Sequence, residues 1–136
     1  MASTDIMATH TLRKRERLCS MKLTDRLFNG AGSHSMAAFP VRVVWMEKER
    51  EDHESPVQVL VSVSKRHFKQ AVKRNRVKRQ LREAYRLSKQ LLYDKLEQVP
   101  QRAVVIAFIW LSDELYSTAE VTRCTEILMK RLTEKL

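Results

Sequence analysis

Eight apolar residues in unbroken succession, "AVVIAFIW" from Ala103 to Trp110, constrain this chain more than any other stretch. The run, which Leu111 extends by one, falls well short of the roughly 20 apolar residues that cross a bilayer, and Arg102 and Ser112 bound it, so it predicts a buried central strand. Two other segments read as strands. "VQVLVSVS", 57 to 64, puts Val57, Val59, Val61 and Val63 on one face and Gln58, Leu60, Ser62 and Ser64 on the other, the period-2 pattern of a half-buried strand whose second face is partly polar. "FPVRVVWME", 39 to 47, is β-branched and aromatic, with Pro40 near its start or on an edge.

Three helices are predicted around these strands. In "SMKLTDRLFNG", Ser20 can cap the start, Leu23, Leu27 and Phe28 share a face, and Gly30 can close the helix in the left-handed conformation. A long helix covers 68 to 97 and ends before Pro100, because proline disfavours helical geometry in the residue before it. The last opens on a capping box, Ser117 with Glu120, and carries Val121, Cys124, Ile127, Leu128 and Leu132 as its apolar stripe. "AGSHSMAA" and "KEREDHESP" read as a loop and a solvated turn. The order is α-β-β-α-β-α, which predicts an α/β (α+β) two-layer sandwich: a small mixed sheet with helices on one face and the other face at least partly open. Residues 1–11 read as a disordered lead-in and 12–136 as a single domain, a size that buries a core without staples.

Charge narrows the function. The net charge is +10, and from Lys65 to Arg86 ten Lys or Arg stand against Glu83 alone; the other 114 residues hold sixteen basic and fifteen acidic groups. A solvated helix face laced with ion pairs is excluded by that count, since one glutamate cannot pair ten cations. Such a patch calls for an anionic partner, nucleic acid first and an acidic membrane or protein second. Sequence-specific DNA readout is not indicated, because no small helical or dimeric scaffold presents the helix to a groove.

Other classes lose support in turn. Cys19 and Cys124 are far apart and no histidine sits at ligand spacing, so no metal site is expected. The N-terminus has no apolar core after a basic start, so the chain reads as cytoplasmic, without a membrane partner. A protein nuclease would want clustered carboxylates or paired histidines. The acids instead crowd the "EKEREDHE" turn or helix surfaces, so no catalytic residue is assigned. His67, beside the basic segment, reads as chance placement.

At about 100° per residue, Val77, Leu81, Ala84 and Tyr85 make the core arc of the long helix. Arg74, Lys78, Arg82 and Arg86 then form a row one turn apart, with Asn75 and Arg79 beside it, while Arg76 stands on the far flank near Glu83. Helical turns rise ~5.4 Å, comparable to the spacing of phosphates along a strand. Arginine adds forked hydrogen bonding and planar stacking that lysine lacks.

The order "VSVSKRHFKQAVKRNRVKRQLREAYR" resembles the signature of the protein subunit of bacterial ribonuclease P: a strand ending in Ser-Lys-Arg, then Arg74-Asn75-Arg76-Val77-Lys78-Arg79 with Arg82-Glu83 and Tyr85-Arg86. "LRKRERLCSMKLTDRLFNG" is similar to that family's basic N-terminal segment and first helix, and Val104 to Ala107 resemble its third strand, so the likeness covers roughly residues 12 to 132. The resemblance implies a fold related to a domain of a small-subunit ribosomal protein, with a left-handed β-α-β crossover. It further implies a catalytic RNA that uses Mg2+ to cut precursor tRNA at its mature 5′ end, and a protein with no active site, no bound cofactor and no required protein partner.

Carried over, the RNA-docking set is Arg74, Asn75, Arg76, Lys78, Arg79 and Arg82, with Lys65, Arg66, Lys69 and Arg86 beside it. The 5′ leader would lie in a cleft between sheet and first helix, near Arg13, Lys14, Arg17, Phe28 and Trp45. Phe28 fits cleft or core alike, and Arg42, a cation in an apolar strand, fits edge or cleft. The sequence departs from the family where an aromatic one turn before Phe28 is replaced by Thr24 or Leu23, where "FIWLSDE" turns acidic after the third strand, and where no Gly precedes the basic helix. The alternative reading is a ribosomal or other structured-RNA-binding protein of similar fold.

Overall fold

The computed structural model describes residues 21–136 apart from 31 and 53. The lead-in 1–11, the cap at Ser20 and the cations Arg13, Lys14 and Arg17 lie outside the described residues. Seven elements follow in order: α1 (Met21–Asn29), β1 (His34–Ala38), β2 (Val41–Glu49), β3 (Val57–Ser62), α2 (Ala71–Glu97), β4 (Arg102–Trp110) and α3 (Thr118–Lys135).

The sheet has the order β1-β2-β4-β3, with β1 and β2 antiparallel, β2 and β4 antiparallel, and β3 and β4 parallel. The apolar run is therefore an inner strand, buried from Ala103 to Phe108 and again at Trp110. β1 occupies a stretch that reads from sequence as a loop. "HSMAA" has weak strand propensity, and pairing with β2 from His34↔Trp45 to Ala38↔Val41 decides its conformation. Phe39 and Pro40 make the turn between these two strands, so Pro40 precedes β2 without interrupting it.

Helices flank both sides of the sheet rather than one. α2 and α3 cover a face built from Val41, Val43 and Trp45 of β2, Val57, Val59 and Val61 of β3, and Val104, Ile106 and Phe108 of β4. α1 seats Leu27, flanked by Leu23, on the other face against Val44, Met46, Val105 and Ala107. α1 spans only nine residues, so among the described residues part of that second face has no helix over it.

Local details explain the boundaries. α2 begins at Ala71 rather than 68, because Ser64 organises residues 64–68 as a turn: its carbonyl accepts from the His67 and Phe68 amides, and its Oγ accepts from the Arg66 amide at 3.1 Å. The capping box of α3 is formed reciprocally, Ser117 Oγ accepting from the Glu120 amide and Glu120 Oε2 from the Ser117 amide, both at 3.2 Å. Its buried stripe is Val121, Thr125, Leu128, Met129 and Leu132, with Cys124 half-buried and Ile127 exposed. Gly30 does not take a positive φ. Its amide bonds to the Arg26 carbonyl at 2.8 Å, and a Cβ there would collide with that same oxygen, so close backbone approach is what demands glycine.

Candidate nucleic-acid interface

The basic surface is built on α2 and the connection that leads into it. Val77, Leu81, Ala84 and Tyr85 are buried against the sheet as the helical projection requires, and Gln80, Lys89, Leu92 and Leu96 join them. Lys65, Arg66, Lys69, Lys73, Asn75, Arg76, Arg79 and Arg82 are exposed, while Arg74, Lys78 and Arg86 are half-buried. α2 has no acidic residue in its first turn and no side-chain cap at Gln70, so the positive end of its dipole adds to these cations.

The row of four cations is not uniform. Arg74 turns back, and its Nη1 donates to the carbonyls of Phe68 at 2.9 Å and Lys69 at 2.8 Å. Arg86 is engaged by Glu83, one turn before it. That hydrogen bond holds the Glu83 carboxyl below the usual carboxylate range, against the opposing effect of burial, and Coulomb attraction to Arg86 adds to it. The same bond raises Arg86. Lys78 and Arg82 keep their charge free, and among the described residues no ion pair engages Lys65, Arg66, Lys69, Lys73, Arg76 or Arg79 either. On the far flank Arg76, Arg79, Gln80 and Glu83 border a cavity of about 230 Å³ together with Thr118 of α3. Gln80 Nε2 ties the two helices there, donating to the Tyr116 carbonyl and Thr118 Oγ1 at 3.1 Å each.

A second surface lies on the opposite side of the sheet. Where α1 stops short, Phe28, Ser33, Ser35, Arg42 and Ile109 surround an open cavity of about 390 Å³. Phe28 is 44% exposed there, so it is a rim residue and not core; Leu27 fills the core position. Arg42 Nε donates to Ser35 Oγ at 2.9 Å, which fixes the guanidinium while its terminal nitrogens remain available. Arg42, Val44 and Met46 share one side of β2, so the cation belongs to the cleft face.

Strand alternation places Trp45 on the other side. Expected in the cleft, it is 3% exposed within the core beneath α2 and α3, its ring 5.2 Å from that of His34. Adjacent strand residues point to opposite faces, so Trp45 cannot share a surface with Val44. Ser35 reaches this face by pairing opposite Val44 in β1, and Ser33 lies just before that strand, so neither residue has a periodic signal of its own in the sequence. The signal for Arg42 was its i, i+2 spacing from Val44.

His67 is not idle. Its Nδ1 lies 2.7 Å from Asp113 Oδ1, joining the β3–α2 connection to the β4–α3 connection. Other acids are also engaged: Glu54 accepts from Lys48 Nζ at 2.6 and 2.7 Å, and Asp94 from Gln90 at 2.7 Å. Among the described residues, no group of three or more His, Cys, Asp or Glu is placed to hold a metal ion, and no helix is long and apolar enough to cross a membrane.

Comparison with known proteins adds a consistent result. The family model for ribonuclease P matches residues 12–133. A ribonuclease P protein component of Porphyromonas gingivalis is 42% identical over 127 residues, covering 92% of this chain and 88% of the relative. One from Chlorobium phaeobacteroides is 42% identical over 88 residues, covering 62% and 58%. Among solved structures, the RNase P protein of Staphylococcus aureus has a similar fold, with a TM-score of 0.60 at 21% identity over 86% of this chain and 94% of that one.

Proposed function

Because this chain belongs to the ribonuclease P protein family, whose role is tRNA processing, we propose that it works by holding two RNA segments at once, the catalytic RNA along α2 and the 5′ leader of precursor tRNA in the cleft under α1. The observation that carries this reading is the placement of two RNA-suited surfaces on opposite sides of one sheet. The alternative of a ribosomal protein is set aside by the family match.

On α2, Lys78, Arg79 and Arg82 with Arg76 neutralise phosphates of the catalytic RNA, and Asn75 adds a neutral donor and acceptor between two arginines. Lys65, Arg66 and Lys69 extend that surface along the connection, and the uncapped start of α2 reinforces its potential. In the cleft, Phe28 offers a ring to stack a leader base, Arg42 a fixed fork for the backbone, and Ser35 a hydroxyl on the lining, while the Ser33 hydroxyl donates to the Leu27 carbonyl at 2.6 Å and fixes the end of α1. Trp45 takes no part.

The chemistry in this reading belongs to the RNA, and so does its magnesium. The protein supplies positioning: tethering the leader beside the docked RNA converts substrate capture into an intramolecular event, which raises affinity for precursor over mature tRNA.

The test is a salt series. Binding of the cognate ribonuclease P RNA should weaken with a log–log slope of several units, and substituting Lys78 and Arg82 together by Ala should reduce that slope by about two. An unchanged slope would move the docking surface off α2.

A further inference from the structure

The contact between His67 and Asp113 spans 46 residues of sequence and is the one hydrogen bond from a side chain of the basic connection to a distant part of the described chain. Both sides are prepared for it. Asp113 follows the buried Ser112, whose Oγ accepts from the Glu114 amide at 3.0 Å, so the carboxylate is presented on a defined turn. His67 sits on the Ser64 turn, and the next residue, Phe68, is anchored in the core. The imidazole is largely enclosed, with a side-chain exposure of 10%, while the carboxylate remains 77% exposed.

Charge alone gives this arrangement no purpose. An exposed carboxylate bonded to His67, within the basic "SKRHFK" segment, opposes the binding of a polyanion to that segment. Asp113 nonetheless takes the imidazole as its partner rather than a lysine or arginine. The remaining ties of the connection are local or come from α2: the Ser64 turn, and Arg74 reaching back to Phe68 and Lys69. Without the histidine contact, the segment carrying Lys65 and Arg66 is held by the buried Val63 and Phe68, by the Ser64 turn and by Arg74, and no side chain of its own bonds it to the β4–α3 connection.

We infer that His67 and Asp113 form a clasp that positions the Lys65–Lys69 connection for RNA, making Asp113 a positioning residue whose structural benefit outweighs its electrostatic cost. The clasp rests on the docking role of Lys65 and Arg66 given above. Its mechanism is pre-organisation: long cationic side chains on an ordered backbone lose less freedom on binding than the same side chains on a loose one. In an Nδ1-protonated imidazole, Nδ1 donates to Asp113 Oδ1, and a neutral amide oxygen at the same place still accepts that bond, without the charge assistance of the carboxylate.

Two substitutions separate position from charge. Asp113→Asn and Asp113→Ala both remove the negative charge, but only Ala removes the acceptor. Affinity for the cognate ribonuclease P RNA is measured for both, for His67→Ala, for the double variant His67→Ala/Asp113→Ala, and for Lys65→Ala/Arg66→Ala, with thermal melts as a check on folding. The clasp predicts that Asp113→Asn binds as tightly as the parent or tighter. It predicts that Asp113→Ala binds roughly three- to tenfold more weakly despite its more positive charge, an effect of the size expected for a few side chains losing their order. The double variant should lose no more than Asp113→Ala alone. If Asn and Ala both tighten binding equally while Lys65→Ala/Arg66→Ala weakens it, the clasp is overturned and the docking surface stands. If Lys65→Ala/Arg66→Ala changes nothing, the docking role of the connection fails, and the clasp with it.

Discussion

Arg74 reaches backward out of the first turn of α2 to the carbonyl of Phe68, with Nη1 2.9 Å from that oxygen. The first arginine of the Arg-Asn-Arg segment thus spends part of its hydrogen-bonding capacity inside the protein, fastening the start of the helix to a residue rooted in the core. Lys78, one turn further on, has no such engagement among the described residues. Two members of one cationic row therefore carry different work.

Substitution should divide them. Arg74→Ala should lower folding stability by about 1–2 kcal/mol, the scale of charge-assisted hydrogen bonds on a half-buried group, and also weaken RNA docking. Lys78→Ala should weaken docking and reduce its salt slope by about one unit while leaving the denaturation midpoint in place. Urea melts alongside a salt-dependent binding series measure both. Equal stability losses would place both residues in the same structural role.

The cleft makes a matching distinction between two aromatics. Phe28→Ala should cost about 1–3 kcal/mol of affinity for leader-bearing tRNA and little for leaderless tRNA, as expected for a stacking platform. Trp45→Ala should instead cost about 3–5 kcal/mol of folding stability through the cavity it leaves. Its leader selectivity in the remaining folded protein should be unchanged. Paired binding assays with and without a leader, each with a melt, decide the matter.

Glu83 restrains Arg86, so Glu83→Gln should raise RNA affinity severalfold and steepen the salt slope by up to about one unit. The pair also leaves a trace in acid. The folded-state value of Glu83 is depressed, so its stabilisation is present above the ordinary carboxylate value and is lost as pH falls through the lower, folded value. The pair is exposed, which confines the effect to the small scale of surface ion pairs, under about 1 kcal/mol. Melts of parent and Glu83→Gln should differ slightly at pH 7 and converge in acid; a difference that persists at low pH would assign it to another cause.

Periodicity made most of this fold legible. The alternating valines of β3, the apolar run of β4 and the Ser117–Glu120 box of α3 each appear where their patterns require. β1 escaped because its small residues carry no alternation of their own and gain strand structure only by pairing with β2. That pairing sets Ser35 opposite Val44 and so on the cleft face. Trp45 is one residue of register from the cleft face, which on a strand is the difference between opposite faces. The basic surface was legible as charge, but its division into struts, restrained cations and free cations depends on contacts such as Arg74 with Phe68 and His67 with Asp113. Those join segments whose proximity no local pattern reveals.

The most direct measurement of the central claim is cleavage of precursor tRNA at low magnesium by the cognate ribonuclease P RNA alone, by this protein alone, and by the two together. The account predicts no cleavage by the protein, poor cleavage by the RNA, and efficient release of the 5′ leader when both are present, with the gain reduced by Phe28→Ala and by Lys78→Ala/Arg82→Ala. Cleavage by the protein alone, or no gain when protein is added to the RNA, would contradict it.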